Sequence, residues 1–148
     1  ARRRERQPGA PQQHVADRET MQLKAEHGKI AAYYNVDNGT GAIRGVYLQG
    51  NEAVAPVFKA WMQPLGSLGM THLTPRNTGG TDHLSFDAVG LPGFQFLQDH
   101  IPGSGGHTNL AFSDTIQAEG LMNNAPIMAS YVYHAARADE RVPRKTMR

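Results

Sequence analysis

The apolar positions of this chain fall into two periods, one suited to strands and one to helices. "KIAAYYNVD" at 29–37 is compact, apolar and aromatic, and reads as a buried strand ending in a carboxylate. "NGTG" follows as a turn. "AIRGVYLQG" at 42–50 alternates Ile43, Gly45 or Val46, and Leu48, and reads as a second strand. Val54, Val57, Phe58, Trp61, Met62 and Leu65 then recur at spacings of three and four, which predicts an amphipathic helix. Asn51 is placed to cap it, with Glu52 in its first turn; Pro56 is early enough to be tolerated, and Pro64 and Gly66 should end it. "MTHLT" at 70–74 and "LPGFQFLQD" at 91–99 are further strands, with "NTGGTDHLSF" at 77–86 as a loop between them. The last element runs from about Ala118 to Ala138, with Leu121, Ala125, Met128, Tyr131 or Val132, and Ala135 expected along one side. Pro126 should kink it, at up to ~3 kcal/mol. Residues 17–27 suggest at most a short surface helix, and "HIPGSGGHTN" at 100–109 has too many glycines to be regular. The order β-β-α-β-β-α predicts an α/β fold in which ligands bind at the carboxyl ends of the strands.

Composition narrows the class. A chain of 148 residues with 39% hydrophobic content fits one domain or a piece of a larger one, and no run approaches the ~20 apolar residues of a membrane span. "ARRRERQPGAPQQ" has no apolar core and is not a signal peptide, which leaves the compartment open. Residues 1–14 read as a disordered or linker-like basic leader, 15–140 as the folded part and 141–148 as a basic tail. Between residues 31 and 136 there are three cations against seven anions, so the body is net −4 while the overall charge is +2. Cations confined to the ends read as solvated, and nucleic-acid binding is not expected. The absence of cysteine excludes disulfides, thiolate metal sites and cysteine nucleophiles.

The residues with chemistry in them are oxygen and imidazole groups. Asp37 ends an apolar strand, where it either forms a turn with the following "NG" or binds something. Asp82 and His83 follow Gly79 and Gly80, which allow positive φ and close backbone approach. Asp82 or Thr81 could instead cap a short helix through "HLSFDAVG". His107 lies between Gly105–Gly106 and Thr108–Asn109, whereas His14, His27, His72, His100 and His134 read as ordinary exposed histidines. No phosphate-binding GxxxxGK[ST], G-x-S-x-G or H-E-x-x-H is present. The set Asp37, Asp82, His83 and His107 suits Zn²⁺ or a similar divalent ion.

Three long words carry a resemblance: "AYYNVDNGTGAIRGVYLQGNEAVAPVFKAW", "RNTGGTDHLSFDAVGLPGFQFLQD", and "HTN" followed by "SD". Together, over residues 15–146, they resemble the C-terminal part of the co-catalytic di-zinc exopeptidases, in the branch that looks like plasma glutamate carboxypeptidase. The resemblance implies the C-terminal half of a phosphorylase/hydrolase-like α/β/α sandwich around a mixed sheet. It also implies two zinc ions that activate a water for peptide-bond hydrolysis, with a peptide or dipeptide as substrate and a glutamate as general base. By position, Asp37 looks like an aspartate ligand of one zinc and His107 like a histidine ligand of the other. Asp82 and His83 match the family's "DH" loop beside the site, as supporting or substrate-lining residues.

The departures from that pattern set a further expectation. The family's first histidine ligand, bridging aspartate and adjacent base and ligand glutamates precede the position of Asp37. Here the 36 residues before it contain no Glu-Glu pair and no H-x-D, and Ala111 stands where relatives commonly place an acid. Each zinc would keep one protein ligand where about three make a tight site. The chain alone is therefore expected to bind zinc weakly and not to hydrolyse peptides. The other expectation is a non-catalytic remnant whose exposed sheet edge and apolar faces favour self-association or a missing N-terminal half.

Overall fold

Four short strands make one mixed sheet in the computed structural model, which describes residues 23–101, 109 and 113–146. They are β1 (Tyr33–Asn35), β2 (Ile43–Tyr47), β3 (His72–Thr74) and β4 (Gly93–Gln98), in the spatial order β1-β4-β2-β3. β1 runs parallel to β4 and β2 parallel to β3, while β4 and β2 are antiparallel. The helices are α1 (Ala55–Met62), α2 (His83–Asp87) and α3 (Ala118–Arg137). The chain is thus an α/β protein with a mixed sheet.

Side-chain alternation along the strands sorts the core into two layers. Phe94 and Phe96 of β4 and Tyr34 of β1 point to one face, where they meet Phe58 of α1 and Ile127 and Tyr131 of α3. Tyr131 sits at the centre of an aromatic cluster, with ring centroids 5.1 Å from Phe58, 5.2 Å from Phe96 and 5.9 Å from Tyr34. On the other face Tyr33 stacks on Phe86 of α2 at 4.0 Å, with Leu91 buried beside them. α2 can lie this close because β4 opens with a glycine. A Cβ at Gly93 would stand 2.4 Å from the carbonyl oxygen of His83.

Several local expectations are corrected. The α1 pattern buries Val54, Phe58 and Leu65 as expected, and α1 ends at Met62, ahead of Pro64 and Gly66, but the chain does not leave the helical path there. It tightens into a 3₁₀ turn over Gln63–Leu68, which tolerates Pro64 near its start, and stops at Gly69. The Asn51 side chain caps nothing; it is buried, and its Nδ2 donates to the carbonyl of Pro143 at 2.7 Å. Thr81 and Asp82 likewise make no side-chain cap on α2. Of the stripe expected to face inward, Tyr131 is buried and Met128 and Ala135 are half-buried against the core, whereas Leu121, Ala125 and Val132 are exposed; the fully buried positions of α3 are Gly120, Asn124, Ile127 and Tyr131. Both stripes have helical spacing. The one containing Asn124 is inside because its amide serves the backbone, accepting from Ile43 N at 2.7 Å and donating to Gly41 O at 3.0 Å. Pro126 sits within α3, on its exposed side.

The basic segment near the end is not free in solvent. Val142 is buried against the main core. Arg144 donates to the carbonyl of Ile30 and Arg141 to that of Gly28. Lys145 reaches the Gln49 carbonyl at 3.2 Å and pairs with Asp87 at 2.6 Å. The cations of 141–145 therefore strap this segment over the body rather than extend a solvated tail. Among the described residues, no helix is long and apolar enough to cross a membrane.

Candidate functional site

Because β1 and β4 are parallel, the chain leaves both at the same end of the sheet. Asp37 follows β1 there, exposed, and the loop that leads into α2 comes up against it. Thr81 Oγ1 donates to Asp37 Oδ2 at 2.7 Å, across 44 residues of sequence. The threonine is itself anchored, since Asn35 Nδ2 reaches Thr81 Oγ1 at 2.8 Å and Gln95 Oε1 at 2.7 Å. Gln95 closes the chain by donating to the carbonyl of Phe96 at 3.0 Å. A line of hydrogen bonds thus runs from the middle of the sheet to a surface carboxylate and fixes its orientation. Asn35 and Gln95 were legible as a signal, because an amide inside an apolar strand must find a partner.

Asp82 is half-buried at the start of α2. Asp82 and Asp37 both act on the Tyr33 phenol, whose pKa is raised first by burial and then by these two carboxylates. The end of β1 is therefore an electronegative spot lined by Tyr33, Asp37 and Asp82. Such a spot attracts cations and basic groups.

His83 has no exposed surface. Its Nε2 lies 3.1 Å from the Thr78 carbonyl and also meets the Gln49 amide. Gln49 in turn grips the peptide of Thr78 at both ends, with Oε1 taking its N–H at 2.8 Å and Nε2 giving to its carbonyl at 2.9 Å. Gln49 holds a left-handed backbone, φ 51°, which only a residue fixed from several sides retains. His83, Gln49 and Thr78 brace the 77–82 loop from behind, on the side away from solvent. Burial lowers the His83 pKa, against smaller raising effects from the Thr78 carbonyl, Asp87 and Asp82.

The glycines of this loop act differently from the expectation. Gly80 has φ 82° and supplies the left-handed turn, but a Cβ at Gly79 or Gly80 would meet nothing within 4 Å. They shape the turn without allowing a close approach. His107 lies outside the described residues, so the structure brings together Asp37, Asp82 and, behind them, His83. Among the described residues there is no group of three His, Cys, Asp or Glu side chains able to hold a metal ion. No family model, curated protein or solved structure matches the chain.

Proposed function

We propose that this chain carries the part of a di-zinc exopeptidase catalytic domain that supplies Asp37 to one metal and His107 to the other, and that by itself it does not hydrolyse peptides. One observation supports the reading most. The "NVDN" and "TGGTDH" words, which carry the resemblance, converge at the carboxyl ends of parallel strands and are joined there by the Thr81–Asp37 hydrogen bond. That is where an α/β fold binds ligands, and a carboxylate held from behind is a fit donor for a hard or borderline cation.

The residues described do not fit a complete zinc site. About three protein ligands are needed to hold zinc tightly, and Asp37 stands with no second or third donor in a metal-binding group. No catalytic step follows from such a site. A second reading, a non-catalytic remnant that works through contacts, is favoured by the uncharged exposed side of α3, where Leu121, Met122 and Val132 are each more than half exposed. Hydrolysis of dipeptides or aminoacyl-nitroanilides with added Zn²⁺ separates the proposal from an active enzyme. No turnover above that of free zinc is expected. Turnover that disappears in Asp37→Ala would overturn it.

A further inference from the structure

The strap at 141–146 reaches the two groups that hold the candidate-site loop, and Lys145 makes the connection. Its Nζ meets both carboxylate oxygens of Asp87 at 2.6 Å and donates to the Gln49 carbonyl at 3.2 Å. Asp87 is the last residue of α2, the helix into which the 77–82 loop leads. Gln49 is the residue whose side chain takes the Thr78 N–H and gives to the Thr78 carbonyl. One ammonium therefore fastens both supports of the loop, 96 and 58 residues away in sequence, to a single point.

The placement of that ammonium is over-determined. Val142 is buried in the main core, and the Pro143 carbonyl accepts from Asn51, two residues past Gln49. Position 145 is thereby held close to the end of β2. A fully exposed ion pair contributes little, but the Lys145 and Asp87 side chains keep only 28% and 21% exposure and share a backbone acceptor, so the ammonium's donors are directed. Gln49 also needs holding, because its left-handed backbone is strained for a residue with a side chain. Lys145 holds its carbonyl, while Thr78 and His83 hold its amide. On its outer side the same loop presents Thr81, which donates to Asp37 and accepts from Asn35.

We propose that the strap is a latch for the candidate site. Docked, Lys145 ties Gln49 to the end of α2 and so fixes the 77–82 loop with Thr81 on Asp37. Released, it lets the loop leave that carboxylate. Lys145, Asp87 and Gln49 are positioning residues, acting on Asp37 through Thr81. The strap thus sets how far the orientation of Asp37 is in place before any ligand arrives. The inference does not rest on the zinc reading, and its test uses neither zinc nor peptide.

The test is nuclear magnetic resonance of the folded 148-residue chain, with two reporters remote from the strap in sequence. One is hydrogen exchange at the Thr78 amide, which Gln49 Oε1 accepts. The other is the Asn35 side-chain amide, which donates to Thr81 Oγ1. Thr81→Val, which removes the hydroxyl, defines where the Asn35 signal lies when the loop does not engage it. Lys145→Met keeps the stem of the side chain and removes its charge. It is expected to speed Thr78 exchange about tenfold or more and to move the Asn35 resonance toward its Thr81→Val position. Asp87→Asn keeps the shape of the carboxylate and should give the same two changes, so it serves where Lys145→Met fails to fold. A strap that only adds to overall stability leaves the Asn35 resonance of a folded variant at its parent position. That result overturns the proposal, as does an unchanged Thr78 exchange rate.

Discussion

Burial of an imidazole disfavours its charged form, and His83 ties the candidate site to pH for that reason. Burial lowers its folded pKa below the ordinary 6.5 of an exposed histidine. The sign follows from proton binding. Above about pH 6.5 neither state carries the proton and stability is full; below it the unfolded chain takes up a proton that the native chain resists, and stability falls toward the lower folded value. The slope from this one group is up to about 1.4 kcal/mol per pH unit. Urea unfolding at about pH 7.5 and about pH 5.5 should show the loss, and His83→Gln should reduce the difference. An unchanged difference in His83→Gln would show that other groups set it. The same residue marks a limit of sequence reading. "GGTDH" announces a loop with a carboxylate and an imidazole in it, but the imidazole turns inward because Gln49 and Thr78 wait for it across 34 and 5 residues. That pairing has no local signature.

At the scale of elements, α2 and the loop before it are held to the sheet by a close approach at one position. Gly93→Ala would bring a Cβ to 2.4 Å from the His83 carbonyl and 3.3 Å from Phe86 Cβ. The first of these neighbours is backbone and can give way only if α2 moves. Overpacking of this kind costs about 1–3 kcal/mol. Thermal melting should register that loss, and proteolysis should cut faster within residues 77–82; equal cleavage of variant and parent would contradict the bracing role. The strands and helices themselves were largely readable, because apolar periods of two and of 3.6 are local properties of the chain. Which stripe of α3 faces inward was not. Tyr131 is on the inner face as expected, but Leu121 and Ala125, apolar as they are, lie outside, because Asn124 takes the inner face by hydrogen-bonding Gly41 and Ile43, about 80 residues away. Asn51 looks like a cap in its local sequence for a similar reason: its partner, Pro143, is 92 residues distant.

At the scale of the whole molecule, a chain with basic ends and an acidic middle folds so that one basic end lies over that middle, with Lys145 on Asp87 and Arg144 and Arg141 on the carbonyls of Ile30 and Gly28. Charge counting along the sequence could find the clusters but not their docking, which depends on Val142 being buried and Pro143 meeting Asn51. Half of the candidate site was readable in the same sense. Asp37 and the "DH" loop were singled out as residues, while the Gln95–Asn35–Thr81 line that orients Asp37 exists only once β1 and β4 are paired. Among the described residues the oriented carboxylate has no companions that would hold a metal tightly. Calorimetric titration of the 148-residue chain with Zn²⁺ near neutral pH tests that most directly. Weak binding at most is expected, no tighter than about micromolar, and weaker still in Asp37→Ala. Two tight sites per chain would contradict it.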